Sequence, residues 1–213
     1  RIQFNTAKSV LINFSPTGKS LDNLIVKFGS DFLVPVYKHL HLGVVFTSDL
    51  KWADHIDRVA NDCNKLLGLL RRQARYLNFE DKCLIYLSII RPKIEYASVV
   101  FDSCSLNDAL RLDALQRNAA LICSGAMTRT ENKLLMEYLG WDKLGERRII
   151  AKLNLFYKMT RKQAPPYLCN LITFNDNIAI GTRHNNPENL NVTIKKYRLS
   201  NSAKSFIADT SQC

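Results

Sequence analysis

The spacing of hydrophobic residues changes character near residue 48. Before that point, hydrophobic residues alternate with polar ones or form short runs between turn residues, which is typical of β-strands. After it, they recur at steps of three and four, which is typical of helices with one buried face. The pattern therefore predicts a helical chain with a β-rich start, whose strands lie at residues 10–14, 24–28, 32–36 and 38–46.

Capping residues and prolines mark where the helices begin and end. Ser105 with Asp108 three residues later forms a capping box, which predicts a helix start. Gly140 predicts a helix end, because glycine readily adopts the left-handed conformation that closes many helices. Pro92 must bend or restart its helix, because proline lacks a backbone donor. The predicted helices cover about residues 49–77, 79–92, 105–122, 131–139 and 143–162.

These elements define the expected fold class. The chain should be α+β and predominantly α-helical, with short antiparallel β-hairpins followed by a helical bundle. From Thr173 onward the periodicity is lost and asparagines become frequent. Residues 173–213 are therefore expected to form a basic, largely disordered tail.

Net charge points to the class of partner. Thirty lysines and arginines against nineteen aspartates and glutamates give a formal charge of +11. Such a balance favours a polyanion as partner, usually nucleic acid, although a basic protein without that partner would have the same composition.

No stretch approaches the roughly 18 consecutive apolar residues of a membrane span, so no membrane partner is expected. The first residue is Arg1 rather than methionine, which indicates a piece of a longer protein.

Six cysteines are scattered without a Cys-x-x-Cys pair. That spacing argues against a zinc ribbon and against a disulfide framework. We expect reduced thiols on apolar helix faces, and hence an intracellular protein, with nucleus and cytoplasm both open.

Residues able to form a catalytic centre do not assemble into a recognisable set. His39 and His41 alternate so that they share a strand face, as metal ligands could, but no further ligand accompanies them. Residues 15–20 resemble the end of a phosphate-binding loop, yet Asn13 stands where that motif needs its first glycine. The sequence therefore predicts no self-contained catalytic centre and no metal site.

Basic residues punctuate two of the predicted helices. Rows of this kind follow a phosphate backbone, although a solvated helix face has the same pattern. Aromatic residues are not interleaved with them, which argues against a platform that stacks unpaired bases. The first row comprises Arg58, Lys65, Arg71, Arg72 and Arg75, and the second comprises Arg147, Arg148, Lys152, Lys158, Arg161 and Lys162.

A series of short motifs in a constant order adds a family resemblance. His41-Leu42-Gly43-Val44, Asp49-Leu50-Lys51-Trp52 and His55-Ile56 resemble the end of the palm and start of the thumb in LINE-type (non-LTR, jockey-like) retrotransposon reverse transcriptases. Residues 65–72 resemble the family's K … L-G-x-L-R-R and residues 84–97 its L-Y … I-R-P-x-L-E-Y-A. Further matches follow in order at residues 115–120, 134–148 and 156–168, and an earlier one comprises Asn5, Lys8 and Phe14.

The resemblance implies a layout for the chain. Residues 1–48 would be trailing palm strands and the primer-grip hairpin, 49–125 the helical thumb, and 126–172 a post-thumb helical segment. The parent enzyme would be an RNA-directed DNA polymerase (a nucleotidyltransferase) that uses Mg²⁺. Its metal-binding carboxylates, a Y-x-D-D turn and an upstream aspartate, have no counterpart here. Two-metal nucleotidyl transfer needs them, so this fragment alone is expected to be inactive.

The expected role is therefore template–primer binding. Partners would be an RNA template, an RNA–DNA or DNA primer duplex, and the upstream palm and fingers of the same polypeptide. Lys8 is a weak catalytic candidate, because a lysine beside the active site could neutralise departing pyrophosphate. The candidate nucleic-acid-binding residues are Gly43, Lys65, Arg71, Arg72, Arg75, Arg147 and Arg148.

Two other functions fit the same sequence. One is a non-enzymatic, helical nucleic-acid-binding protein derived from a retroelement. The other is a non-functional translated remnant, because strands separated from the rest of a palm would leave edges exposed.

Overall fold

The computed structural model describes residues 5–15, 24–29 and 31–173. The predicted tail lies outside it except for Thr173, as do residues 16–20 of the loop-like motif. Within this part the fold class is confirmed: the chain is α+β and mostly helical, with two short antiparallel hairpins.

The hairpins occupy the β-rich start. Strand β1 (Val26–Phe28) pairs with β2 (Asp31–Leu33), and β3 (Lys38–His41) pairs with β4 (Val44–Thr47). The second hairpin packs on the helix that follows it, since Val44 and Thr47 are buried. It is the better anchored of the two, because all residues of β1 and β2 are exposed or half-buried.

Two strand predictions were wrong. Residues 10–14 do not form a strand, and only one isolated bridge joins Leu11 to Pro35. Alternation of hydrophobic and polar residues is not enough to form a strand, because the backbone groups of a strand must hydrogen-bond to a neighbouring strand. Residues 38–46 form two strands because Leu42 and Gly43 both have positive φ, at 46° and 81°. Such values belong to the two-residue turns that reverse a hairpin.

The helices follow the predicted periodicity closely. The first predicted helix starts later than expected, with Trp52 as its N-cap, and ends in a 3₁₀ turn at Ala74–Tyr76. Two short helices, Ser98–Phe101 and Pro166–Cys169, were missed because one turn leaves too little periodicity to detect. The helices are α1 (Ala53–Gln73), α2 (Phe79–Ile85), α3 (Arg91–Glu95), α4 (Ser98–Phe101), α5 (Leu106–Ser124), α6 (Asn132–Leu139), α7 (Leu144–Thr160) and α8 (Pro166–Cys169).

Proline reshapes the chain between α2 and α3. A π-helical turn, Tyr86–Ile90, precedes Pro92, which occupies the second position of α3. This is the predicted disturbance at Pro92, in the form of a wider turn rather than a sharp kink. The turn directs Tyr86 and Ile90 into the core, where both are fully buried. Tyr86 stacks on Trp141, with 4.2 Å between the ring centroids.

The described residues belong to two compact units. The first contains residues up to Ala97 together with Cys104–Trp141, and the second contains Ser98–Ser103 together with the chain from Asp142. The core of the first unit lies between α1 and α5, with α2, α3 and α6 around them. The second unit has α4 and α8 against α7. The domain boundaries drawn from the resemblance stay a prediction.

Candidate nucleic-acid interface

The exposed face of α1 carries a line of basic side chains. Arg58, Lys65 and Arg72 recur every seven residues, which returns them to nearly the same side of an α-helix. All three are exposed, whereas Ile56, Cys63, Leu67 and Leu70 are buried on the opposite side. Amphipathic spacing therefore buries one face of α1 and points a basic stripe at solvent.

Acidic residues balance only the first half of this helix. Asp54, Asp57 and Asp62 all lie before its midpoint and pair with Lys38, Arg111 and Lys65 respectively. After Asp62 no acidic residue occurs until Glu80. In the described part of the chain neither Arg71 nor Arg72 pairs with a carboxylate. The end of α1, with Arg71 and Arg72, therefore carries uncompensated positive charge.

The basic face extends into the 3₁₀ turn after α1. The Arg75 guanidinium lies over the Tyr76 ring, 4.6 Å from its centroid, and Tyr76 is 70% exposed. The ring quadrupole attracts a cation held over the aromatic face. Arg75 and Tyr76 therefore continue the exposed basic surface beyond the end of the helix.

A shallow groove runs beside the basic stripe. Asn61, Asn64, Lys65, Gly68 and Arg72 line it along α1. Both asparagines are exposed, and their amides make no hydrogen bond within the described residues. Both asparagines precede Lys65 along α1, so polar groups that donate and accept hydrogen bonds lie next to the cations.

Gly43 lies at the tip of the β3–β4 hairpin, where the sequence predicted a nucleic-acid contact. The Tyr96 hydroxyl donates a 2.9 Å hydrogen bond to the carbonyl of Leu42, and Arg58 donates to the carbonyl of Gly43 at 3.4 Å. A Cβ at Gly43 would come within 3.2 Å of the Tyr96 ring. Glycine is therefore needed both for its positive φ and for the close approach of Tyr96.

Leu42 is the unusual residue of this tip. It has a positive φ without being glycine, and its side chain is 77% exposed. Such strained, exposed positions persist where neighbouring contacts hold them, as Tyr96 does here, and they concentrate at functional sites.

His55 attaches the same hairpin to α1. Its Nδ1 accepts a hydrogen bond from the Val45 amide at 3.4 Å, and the ring is buried. Burial lowers the pKa of His55, and the nearby Arg58 guanidinium lowers it further. The neutral form is therefore the one that holds the hairpin.

Lys8 lies apart from these groups. It ends a 3₁₀ turn, Thr6–Lys8, which the Asn5 side chain organises by accepting a 2.9 Å hydrogen bond from the Ala7 amide. The Lys8 side chain is exposed. A catalytic role for Lys8 stays a prediction.

Arg147 and Arg148 belong to the second compact unit and are engaged within it. Arg147 pairs with Asp142 at 3.6 Å. The Arg148 side chain is only 11% exposed and lies 3.8 Å from Asp102, which also binds the buried Lys152. Their predicted contact with nucleic acid remains untested, and both differ from Arg71 and Arg72 in having an internal partner.

Metal-ligating side chains do not converge among the described residues. No group of three or more histidines, cysteines, aspartates or glutamates could hold an ion there. Mg²⁺ for the parent polymerase stays a prediction.

Two residues of this surface, Asn61 and Asn64, were missed by the sequence motifs, because an asparagine on an exposed helix face belongs to no pattern of its own. The detectable signal was Gly68, a glycine inside a long amphipathic pattern.

Comparisons with protein-family models, curated proteins and solved structures found no match to the chain. Among the described helices, none combines the length and apolar character needed to cross a membrane.

Proposed function

We propose that this chain is the end of the palm and the thumb of a LINE-type reverse transcriptase, and that it binds the template–primer duplex. The observation that carries the proposal is the exposed basic second half of α1, where Arg71 and Arg72 pair with no carboxylate of the described residues and Lys65 pairs with Asp62 at 3.5 Å. Lysine and arginine rows of this kind neutralise phosphates and release counterions. The motif order supports the family, and the exposed stripe supports the duplex-binding role.

The hairpin tip supports the same proposal. The β3–β4 turn and α1 are joined by Arg58, which is the first residue of the basic stripe. A duplex that follows the stripe would meet the exposed Leu42 and Gly43 at one end. In the parent enzyme this segment would grip the primer while the palm performs synthesis.

Binding of an RNA–DNA hybrid at increasing salt tests the proposal. We expect affinity to fall linearly with salt on logarithmic axes, with a slope of about −0.9 for each phosphate neutralised. Arg71→Gln with Arg72→Gln should weaken binding and reduce the slope. The matched control, Arg129→Gln with Lys133→Gln, makes the same change in net charge at exposed positions away from α1.

The control pair should retain the wild-type slope. Equal losses in both double variants would show that net charge alone drives binding, which would contradict an α1 interface. Binding that is absent at low salt, or independent of salt, would refute the proposed function.

A retroelement-derived binding protein without polymerase activity is the second candidate. The same stripe favours it, because duplex binding through α1 needs no catalytic group. A primer-extension assay distinguishes the two candidate functions. It compares the present chain with a longer protein that also includes the reading frame upstream of Arg1. Extension by the longer protein, and none by the present chain, supports the polymerase origin.

A further inference from the structure

Helix α7 is apolar on two opposite sides. One side packs inside the second unit, where Leu144 and Met159 are buried and α4 and α8 lie against the helix. A surface helix of a globular protein usually has one apolar side and one polar side. The second apolar side of α7 faces solvent and is called its outer face here. Its four residues, each at least 40% exposed, are Ile149, Ile150, Leu153 and Tyr157.

The spacing along the outer face is that of helices which pair lengthwise. Ile150, Leu153 and Tyr157 are separated by three and four residues, and the same steps lead back to Glu146 and on to Thr160. A repeat of three and four residues keeps one line of side chains turned toward a partner helix. This line spans about 21 Å at 1.5 Å per residue. Its shape therefore suits a second helix that lies along α7.

The two ends of the outer face carry opposite charges. Glu146 lies in the first turn of α7, and Lys143 is 4.0 Å from it. Both side chains of that pair are exposed, so the pair contributes little and the carboxylate can accept another cation. Arg161 follows the last residue of α7, and its guanidinium lies over the Tyr157 ring, 5.5 Å from the centroid. The outer face is therefore negative where the helix begins and positive where it ends.

From this arrangement we propose that the outer face of α7 is a dimer interface, in which it packs antiparallel on the same face of a second copy of this chain. Leu153 lies on the twofold axis, and Ile149 faces Tyr157 of the second copy. Glu146 of each copy pairs with Arg161 of the other, and the symmetry forms this ion pair twice. The inference does not depend on the proposed function, which concerns α1.

Charge complementarity favours this occupant and this orientation. The partner must present a cation to Glu146 and an anion to Arg161, at opposite ends of one helix. An antiparallel copy of α7 does both, because its ends are reversed. A parallel copy would place Glu146 against Glu146 and Arg161 against Arg161, and like charges at both ends would oppose association.

The chain beyond Thr173 fits the outer face less well. Its apolar residues from 190 to 199 could supply a covering segment, but that segment has no acidic residue for Arg161. It carries instead three basic residues, Lys195, Lys196 and Arg198. A second copy is therefore the occupant that satisfies both ends.

The interface is small, so the dimer should be weak. Specific protein interfaces bury about 1,200–2,000 Å², and a single pair of helices lies at the low end of that range or below it. We expect a dissociation constant of about 10–100 μM. The chain should then be monomeric when dilute and dimeric when concentrated.

Sedimentation velocity of the whole chain tests the proposal, over about 1 to 300 μM so that the expected constant is bracketed. The wild-type chain should shift from monomer to dimer. Leu153→Glu should weaken association by about tenfold or more, because it places two carboxylates together at the twofold axis. Leu110→Glu makes the same change at an exposed position of α5 in the first unit and should leave association unchanged.

Two charge variants test the antiparallel orientation. Glu146→Arg and Arg161→Glu each place like charges at both ends of the dimer, and each should weaken association by about three- to tenfold. An equimolar mixture of the two variants should associate as the wild type does, because every pair of ends is again unlike. Mixing does not change the fold of either chain, so the recovery would come from the interface itself. Circular dichroism checks that both variants keep the helical content of the wild type.

Three results would overturn the proposal. A wild-type chain that stays monomeric over the whole range shows that something other than a second copy covers the outer face. Association that persists in Leu153→Glu places the contact elsewhere, such as on the exposed hairpins. A mixture of the charge variants that associates no better than either variant alone excludes the antiparallel pairing of Glu146 with Arg161.

Discussion

At the scale of single residues, the polar groups inside the two units are the most constrained features of the molecule. His55 is 1% exposed and Lys152 is 4% exposed, although both side chains can carry charge. Each is held by a specific partner, the Val45 amide for His55 and Asp102 for Lys152. Buried groups of this kind cost stability when the partner is removed or the charge state changes.

Acidification should destabilise the first unit through His55. Its pKa is lowered by burial, so the folded protein binds the proton more weakly than the unfolded chain. Stability is therefore complete above the ordinary pKa of 6.5 and is lost as the pH falls toward the lowered value. Urea unfolding across this range should show the loss, and His55→Gln should flatten it.

The Gln variant keeps an acceptor for the Val45 amide, so its stability at neutral pH provides the reference. A wild-type protein whose unfolding free energy stays constant below pH 6.5 would disprove this account of His55.

Asp102 should be critical to the second unit. Asp102→Asn removes the carboxylate that pairs with the buried charge of Lys152, and Arg148 loses the same partner. Removal of one member of a buried pair typically costs about 3–5 kcal/mol. Thermal and denaturant unfolding would measure the loss. Lys158→Met changes an exposed residue of α7, the helix that also carries Arg148 and Lys152, and should change stability little.

A second variant separates charge burial from packing. Asp102→Leu with Lys152→Met removes both charges and should recover much of the stability lost in Asp102→Asn. If the double variant is less stable than Asp102→Asn, the attraction within the ion pair contributes more free energy than the desolvation of its charges costs.

At the scale of elements, caps and turns decide where helices begin and end. The Ser105 hydroxyl accepts the Asp108 amide hydrogen at 3.2 Å and donates to its carboxylate at 2.7 Å. Gly140 closes α6 with a φ of 63°. Both boundaries were predicted because the signals are local, lying within four residues of the helix end.

Loss of the Ser105 cap should destabilise α5. Ser105→Ala leaves the Asp108 amide without its acceptor, and such changes cost about 1 kcal/mol. Denaturant unfolding should show this loss, since α5 contributes Leu112, Leu115 and Ala119 to the core. Ser105→Thr keeps a hydroxyl that can accept from the amide and donate to the carboxylate, so it should retain most of the stability. Unchanged stability in Ser105→Ala would show that the cap contributes nothing.

At the scale of the whole molecule, the first unit exposes apolar side chains around its hairpins. Ile25, Phe32 and Val34 are each at least 60% exposed. Hydrophobic surface concentrated on short two-stranded sheets is typical of a face that another part of a protein covers. This agrees with the proposed origin in a larger palm and also with a remnant that has lost its partner.

Phe32→Thr with Val34→Thr should reduce apolar exposure without lowering strand propensity. We expect weaker binding of the dye ANS at neutral pH and less concentration-dependent aggregation, with duplex affinity unchanged. Tyr167→Thr, on an exposed residue of the second unit, controls for the loss of any single apolar side chain. Equal dye binding by all variants would show that the hairpin surface is not the binding site for the dye.

The sequence by itself determined the helical class, most helix positions and the basic face of α1. Each depends on local information, because periodicity, caps and charge spacing act within a few turns of the chain. The tertiary structure alone decided which polar residues are buried, which arginines are already paired, and that Leu42 forms the hairpin tip. These depend on partners far apart in sequence, as Tyr96 is from Leu42 and Lys152 from Asp102.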